Sequence, residues 1–261
     1  MGEPCMDCPA GSNLLLGRGD PRPVRITNRA GRSPFLLVAD HAGRAVPRRL
    51  NRLGLPKGAM DGHIAWDIGV ARLGAQLAVA LDACLVTQTY SRLVIDCNRK
   101  PGAPDSIPEV SDGVAIPGNA SLGDAAVEAR IAEIHRPYHA AISAQFAARA
   151  GRGRQSLMVS LHSFTPVMQG QARPWRFGVL HRGDSALSRG VLIQLREALG
   201  EAAGDNQPYA MDGTDYTVPL HADARGLDYL ELEVRQDLID QPIGCAETAA
   251  FVAGLLTAAT G

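Results

Sequence analysis

In the segment Pro34-Phe-Leu-Leu-Val-Ala-Asp40, five apolar residues stand together between a proline and an aspartate. A short run of this kind is typical of a strand that is buried on both faces, and such strands build parallel sheets covered by helices. The next residues, His41-Ala-Gly43, predict a turn. We therefore expect an α/β sheet whose first strand ends at a histidine.

Strands and helices alternate outward from this stretch. Apolar residues recur at helical spacing over 65–81, and Pro137 marks a kink or a break within a second helical region. The predicted helices are 65–81, 122–150, 185–199 and 245–259, and the predicted strands are 34–40, 83–88, 157–161, 177–181 and 227–234, with a short extended piece at 92–96. The alternation predicts an α/β fold: a three-layer sandwich in which a mostly parallel or mixed central sheet is flanked by helices.

The chain is expected to form one domain preceded by an N-terminal arm. Residues 1–33 are rich in glycine, proline and arginine, and only Leu14 to Leu16 have a pattern typical of ordered structure. Residues 34–261 are expected to form a single α/β domain. Cys5 and Cys8 make a CxxC pair, but no second pair and no strand follow, so we interpret them as part of an irregular leader rather than a metal or redox site.

Residues 100–119 contain four prolines and three glycines. This composition is too rich in both residues for regular secondary structure. We predict a surface loop here, and a loop of this length beside a site is a candidate lid.

The composition excludes several classes of partner. Apolar residues make up 46% of the chain and charged residues 20%, and the formal net charge is -1. Acidic and basic residues are mixed, so no broad electropositive field for nucleic acid or an anionic membrane is expected. No apolar run approaches the roughly 20 residues that span a bilayer, and five scattered cysteines do not form the disulfide framework of a small secreted domain. We expect a cytoplasmic protein with a small-molecule substrate, and the oligomeric state stays open.

Polar residues at the ends of strands form the candidate site, because open α/β sheets bind ligands beyond the carboxyl ends of their strands. His41 follows the first strand and His162 ends the strand 157–161. Two imidazoles and a carboxylate suit a catalytic zinc ion, which typically has three protein ligands and an open position. The third ligand is Asp67 or His63, which lie one helical turn apart, and we choose Asp67. Its alternative role is a helix N-terminal charge, and that of His41 is a turn histidine.

Six segments of the chain, taken together, resemble those of a known protein family. They are Val38-Ala-Asp-His-Ala-Gly43 with Pro47, His63-Ile-Ala-Trp-Asp-Ile-Gly69, Ser91-Arg-Leu-Val-Ile-Asp-Cys-Asn-Arg99, Ser160-Leu-His-Ser-Phe-Thr-Pro166, Asn206-Gln-Pro-Tyr209 and Leu230-Glu-Leu-Glu-Val-Arg-Gln-Asp-Leu238. In this order and spacing they resemble the N-formylglutamate amidohydrolase family over roughly 34–240. The resemblance implies a zinc-exopeptidase-like fold, similar to the zinc carboxypeptidases and aspartoacylases. It also implies a metal-dependent amidohydrolase with one zinc ion per chain. Such an enzyme removes an N-formyl or other short N-acyl group from glutamate or a similar amino acid, as in histidine degradation.

The same resemblance suggests roles for further residues. Glu233-Val-Arg235 is similar to the carboxypeptidase segment that carries the catalytic glutamate, so Glu233 is the expected proton carrier, with Glu231 and Arg235 in reserve. Strand side chains alternate, so Glu231 is expected on the same side as Glu233. The carboxypeptidase metal motif has a glutamate where this chain has Arg44, which is why the carboxylate ligand is sought at Asp67.

Substrate-binding residues are expected in the segment from Arg92 to Arg99. Asp96-Cys-Asn-Arg99 resembles the deacylase segment that holds a substrate carboxylate, which assigns Asn98 and Arg99 to the amino-acid end of the substrate. Arg92 holds a second carboxylate or covers the site, or else lies on the surface. His221 contacts substrate or stabilises an oxyanion, unless it is an ordinary loop histidine.

Other interpretations stay open at this level. His135 and His139 are one helical turn apart and could bind zinc, although a plain helix face explains them as well. A zinc carboxypeptidase or amidase acting on a peptide or cell-wall fragment would use the same chemistry, and a non-catalytic binding protein could keep the same fold. The sequence has no Gly-x-Ser-x-Gly elbow, Walker loop or dinucleotide fingerprint, which disfavours serine-nucleophile and nucleotide chemistry.

Overall fold

A seven-stranded sheet lies at the centre of the structure, a computed structural model that describes residues 14–260. The strands are β1 (Val24–Thr27), β2 (Phe35–Ala39), β3 (Cys84–Gln88), β4 (Val110–Ser111), β5 (Val114–Ala115), β6 (Leu157–Phe164), β7 (Val167–Met168), β8 (Gln171–Ala172), β9 (Phe177–Leu180), β10 (Ala203–Asp205) and β11 (Tyr229–Arg235). The pairs β4–β5 and β7–β8 are separate small hairpins. Cys5 and Cys8 lie outside the described residues.

The order of strands in the sheet is β1-β3-β2-β6-β11-β9-β10. The four central strands β3, β2, β6 and β11 are parallel to one another. β1 is antiparallel to β3 at one edge, and β9 is antiparallel to β11 near the other. The sheet is therefore mixed with a parallel centre, and the predicted fold class is confirmed.

Helices cover both faces of the sheet. They are α1 (Val70–Ala80), α2 (Asp124–Arg130), α3 (Arg136–Ala150), α4 (Ala186–Leu199), α5 (Thr217–His221) and α6 (Pro242–Ala258). One core cluster joins α1, α4 and α6 to residues such as Leu37 of β2, while a second joins α3 and α5 to the alternate residues, such as Leu36. Both leucines are fully buried, and burying such a side chain stabilises the fold by roughly 1.5–3 kcal/mol. None of the helices in the described part is long and apolar enough to cross a membrane.

Three local predictions of secondary structure were wrong. The helix expected over 65–81 begins at Val70, because Gly69 before it has a φ of 86° and a side chain there would meet the Ile239 carbonyl. Residues 92–96 contain a turn at 92–94 and no strand, since the Ser91 hydroxyl accepts a hydrogen bond from the Leu93 amide. The arm contains a strand, β1, which the sequence pattern missed.

Pro137 does interrupt the second helical region, as predicted. A π-helical turn, Ile131–His135, separates α2 from α3, and Pro137 lies in the first turn of α3. Proline has no amide hydrogen to donate, and it is tolerated in the first turn of a helix. His135 ends the π-helical turn and His139 lies in α3, and both are buried.

Candidate active site

The carboxyl ends of the parallel strands hold the candidate residues. His41 lies in the turn after β2, and Asp67 lies in the loop before α1. The Asp67 amide donates a hydrogen bond to the His41 carbonyl at 2.9 Å, which joins the loop to the turn. His162 lies within β6 and is the direct neighbour of Glu233 on β11. Four residues that are distant in sequence therefore meet at the carboxyl ends of the central strands.

Glycine at position 43 allows the turn that carries His41 to pack closely. A β-carbon at Gly43 would lie 1.9 Å from the carbonyl oxygen of Thr89, so any residue other than glycine would clash with it. Two backbone hydrogen bonds form beside it, from the Ala45 amide to Thr89 at 3.2 Å and from the Ser91 amide to Ala45 at 2.9 Å. The turn after β2 is thereby fixed against the segment that follows β3.

Three buried side chains form a compact group of potential metal ligands. One ligand atom from each of His41, Asp67 and His162 lies within 4.8 Å of the other two. Asp67 Oδ2 is 3.1 Å from His162 Nδ1 and 3.5 Å from His41 Nδ1. His41 Nδ1 is buried and has no hydrogen-bond partner in residues 14–260. A buried ring nitrogen without a partner beside a carboxylate fits a cation bound between them.

The other ring nitrogens of the two histidines face further buried groups. His41 Nε2 donates to Asp96 Oδ1 at 2.7 Å. His162 Nε2 is 3.1 Å from Ser160 Oγ and 3.4 Å from Asp40 Oδ2. A proton on Nε2 of each ring leaves the lone pair of Nδ1 directed at the group around Asp67, which is the tautomer that a metal ligand needs. The sequence did not identify Asp40 or Asp96 as site residues, although both lie in the six segments that carry the family resemblance.

The environment changes the pKa values of the carboxyl groups in opposite directions. Burial alone raises the pKa of Asp67, but in the protein without metal the charges of the protonated His41 and His162 rings, together with the hydrogen bond to His162, outweigh it and hold that pKa below its ordinary value. Burial dominates at Glu233 and Glu231, where it raises the pKa to about 7 and about 8. Each of these glutamates has one buried oxygen without a partner among the described residues. Asp67 is thus an anion, while Glu233 can exchange a proton near neutral pH.

A cavity of about 460 Å³ opens above these groups. Nine of the residues singled out from the sequence line it: His41, His63, Asp67, Arg92, Asn98, Arg99, His162, Glu231 and Glu233. Glu231 shares the cavity side of β11 with Glu233, as alternation predicted, while Leu230, Leu232 and Val234 point into the core. The volume is in the range of a small-molecule site.

The family model of N-formylglutamate amidohydrolases matches residues 33–240. The chain belongs to this family. Family membership makes it a hydrolase of amide bonds in glutamate derivatives and agrees with the resemblance of the six sequence segments. The curated proteins, by contrast, gave no significant match.

Two solved structures are similar to this chain. The gene product Atu2144 from Agrobacterium tumefaciens is 35% identical, with a TM-score of 0.90, over 94% of this chain and 98% of that one. The N-formylglutamate amidohydrolase from Ralstonia eutropha is 21% identical, with a TM-score of 0.61, over 91% of this chain and 97% of that one. At that lower identity the second likeness supports the fold alone.

Arg92 is engaged with the carboxylates around the histidines. Its Nε and Nη2 donate to Asp96 Oδ2 at 3.1 and 2.8 Å, and its Nη1 is 3.6 Å from Asp67 Oδ1. The Arg92 side chain is 30% exposed and lines the cavity. Arg92 thus connects Asp96, the hydrogen-bond partner of His41, to Asp67. The exposed part of its side chain can be reached by a substrate in the cavity.

Asn98 mainly supports a neighbouring helix. Its Oδ1 accepts hydrogen bonds from the amides of Tyr216 and Thr217, at 3.0 and 2.9 Å, where α5 begins. Its Nδ2 donates to Asp215 Oδ1 at 3.2 Å. The side chain therefore fixes the start of α5 against the cavity wall.

Three other candidates lie apart from the histidine pair. His63 lines the cavity but pairs with Asp112 at 3.1 Å and is outside the close group of ligand atoms. His221 is buried at the end of α5, does not line the cavity and lies 2.9 Å from His139. Arg235 pairs with Asp237 at 2.8 Å and does not line the cavity either. The geometry therefore brings His63 near the site and leaves His221 and Arg235 outside it.

His135 and His139, the alternative metal pair, use their nitrogens in hydrogen bonds. His135 Nε2 donates to the Arg99 carbonyl at 3.0 Å, and His139 Nε2 donates to the Cys97 carbonyl at 2.9 Å. In the described part of the chain, the potential metal group is the one around Asp67 and does not include either residue. The pair instead supports the segment that carries Arg99.

Proposed function

We propose that this chain is a metal-dependent amidohydrolase that removes an N-formyl or other short N-acyl group from glutamate or a similar amino acid. The observation that carries the proposal is the buried group of His41, Asp67 and His162 beside Glu233 at the floor of one cavity. We further propose a cytoplasmic location and a place in amino-acid metabolism, of which histidine degradation is one example.

The donor set fits one zinc ion per chain. His41 and His162 would bind it through Nδ1 and Asp67 through its carboxylate, which gives the two nitrogens and one oxygen typical of catalytic zinc. When bound, zinc polarises the amide carbonyl and lowers the pKa of water. The short contact of Asp96 with His41 supports this assignment, because ligating histidines commonly donate their second N–H to a carboxylate.

Glu233 is the proposed proton carrier. Its carboxylate lies next to His162 in the strand register, and burial raises its pKa to about 7. A group with a pKa near neutrality both accepts a proton from the attacking water and donates it to the departing nitrogen, which an amide needs in order to break. Arg99 lines the same cavity and offers the planar fork that matches a substrate carboxylate.

Replacement of Glu233 by glutamine tests the proposal. We expect Glu233→Gln to retain zinc, measured by elemental analysis, and to lower kcat by roughly 100-fold or more, because general acid–base catalysis contributes about 10²–10⁴-fold. Release of formate and amine from a panel of N-acyl amino acids gives the rate. Glu197→Gln, on the exposed side of α4, is the matched control.

The other outcomes separate the alternatives. Undiminished turnover in Glu233→Gln would remove this residue from the mechanism. Turnover of peptides but not of N-acyl amino acids would identify a carboxypeptidase or amidase. A purified protein that takes up no zinc and turns over none of these substrates would be a binding protein.

A further inference from the structure

The two arginines of the cavity differ in how their charges are neutralised. Arg92 pairs with Asp96 and Asp67, whose side chains are 5% and 4% exposed. Arg99 Nε lies 2.7 Å from Asp105 Oδ2, and these two side chains are 22% and 49% exposed. The partners of Arg92 are thus fixed in the protein interior, whereas the nearer carboxylate partner of Arg99, Asp105, stands at the rim of the cavity in contact with water, and the second, Asp215, lies at 3.9 Å.

Asp105 is held in place by a short turn of the loop over the cavity. The Ser106 amide donates to the Ala103 carbonyl at 3.0 Å, and the Ser106 carbonyl accepts from the Asp96 amide at 2.7 Å. This last bond ties the loop to the segment that carries Arg99. Asp105 and Arg99 both line the cavity, so their ion pair forms part of its wall.

The guanidinium group of Arg99 is only partly used by the protein. Its Nη1 donates to the Asn98 carbonyl at 2.9 Å and is 3.9 Å from Asp215 Oδ1. Nη2 has no hydrogen-bond partner among the described residues. A single carboxylate, that of Asp105, therefore occupies the Nε edge, which is one of the edges that bind carboxylates through a planar fork.

We propose that Asp105 acts as a built-in competitor for the substrate carboxylate at Arg99. This inference rests on the proposed function, in which Arg99 anchors the amino-acid end of the substrate. The Asp105 carboxylate neutralises Arg99 while the cavity is empty, and the carboxylate of the substrate displaces it. Asp105 is thereby a specificity-determining residue, because a weak or monodentate anion does not displace it as readily as a well-placed carboxylate does.

The strength of the contact sets the size of the expected effect. Ion pairs between exposed side chains are weak, and their loss changes an equilibrium by roughly two- to fivefold. We therefore expect Asp105→Asn to lower KM for N-formylglutamate by about two- to fivefold with kcat unchanged, and to tighten the binding of glutarate by a similar factor. Steady-state kinetics and calorimetric titration of the zinc-loaded protein with glutarate measure the two effects.

Asp112 provides the matched control. It lies in the same loop and lines the same cavity, but it pairs with His63 and not with Arg99. Asp112→Asn removes the same unit of negative charge, so it reports the general electrostatic effect. We expect a smaller change in KM and in glutarate affinity than Asp105→Asn gives.

A double-mutant cycle adds a measurement that a general charge effect would not reproduce. In an Arg99→Gln background, Asp105→Asn should leave glutarate affinity unchanged, because the competing pair no longer exists. The inference is overturned if Asp105→Asn raises KM or leaves it unaltered, if Asp112→Asn has an equal effect, or if the effect persists without Arg99. If no N-acyl amino acid is turned over at all, the proposed function fails, while the glutarate titrations still decide the role of Asp105.

Discussion

His41 and His162 differ in how firmly the protein orients them. His41 donates to a carboxylate at 2.7 Å, whereas His162 Nε2 has the Ser160 hydroxyl at 3.1 Å and the Asp40 carboxylate at 3.4 Å. Hydrogen bonds to an ionised acceptor are shorter and stronger than those between neutral groups. Asp96 is itself fixed by Arg92, so the orientation of His41 depends on a carboxylate with one defined position.

This dependence predicts the effect of Asp96→Asn. The substitution keeps the shape of the side chain but removes the charge that holds the His41 ring, so zinc affinity should fall by roughly 10- to 100-fold. Competition with a chromophoric chelator measures the affinity. Asp61→Asn, on the surface beside Arg44, should leave it unchanged. Equal zinc affinity in Asp96→Asn and the parent would show that Asp96 does not orient His41.

The residues of the site were predictable to different degrees. His41 and His162 follow or end apolar runs, and strand polarity alone sends such residues to one edge of a parallel sheet. The choice between Asp67 and His63 depended on the path of the loop before α1, which no periodicity describes. Asp96 and Asp40 carry no periodic signal either, because their importance comes from contacts with rings far away in sequence.

Among the secondary-structure elements, the buried strands were predicted correctly, whereas an exposed strand and a turn were not. The central strands are apolar on both faces, so β2, β3 and β6 were recognisable from runs of apolar residues. β1 is a four-residue edge strand with Arg25 exposed, and its order comes from pairing with β3 rather than from its own composition. Turns such as 92–94 depend on single side-chain hydrogen bonds, here that of Ser91, which an apolar pattern does not report.

The contact between α3 and α5 contains two buried histidines. His139 Nδ1 and His221 Nε2 are 2.9 Å apart, and Ser143 Oγ is 3.5 Å from His221 Nδ1. Burial lowers the pKa of His139 to about 3, with a further contribution from His135, and burial and then Arg225 lower that of His221 to about 4. Both rings are therefore neutral in the folded protein above about pH 5.

These lowered pKa values predict a loss of stability in mild acid. The unfolded chain binds protons at both histidines as the pH falls through about 6.5, while the folded chain resists until about pH 4, so protonation favours unfolding over this interval. Each histidine should remove about 2 kcal/mol from the free energy of unfolding between pH 7.5 and 5. Urea unfolding of the parent and of His221→Gln measures this. The variant should lose about 2 kcal/mol less than the parent, and equal losses would contradict the assignment.

At the scale of the whole molecule, the apolar core is separate from the group of potential metal ligands. Two apolar clusters lie on the two faces of the sheet, and a third joins the loops around Leu53 and Tyr90, whereas His41, Asp67 and His162 lie around the carboxyl ends of the central strands. Much of the apolar surface is therefore buried whether or not a cation is bound. This separates the protein from small zinc domains, whose folding requires the metal.

Removal of zinc should therefore lower the thermal stability without unfolding the chain. A ligand that binds the folded state alone, at 100 times its dissociation constant, stabilises it by about 2.7 kcal/mol, which corresponds to a Tm change of roughly 5–10 °C for a chain of this size. Circular dichroism at room temperature should stay unchanged in chelator, and Tm should return when zinc is added back. His162→Ala should bind far less zinc, and its Tm should not respond to the metal, because the cation loses one of its three protein ligands. A full zinc response in that variant, or unfolding in chelator at room temperature, would place the metal elsewhere in the molecule or make it part of the core.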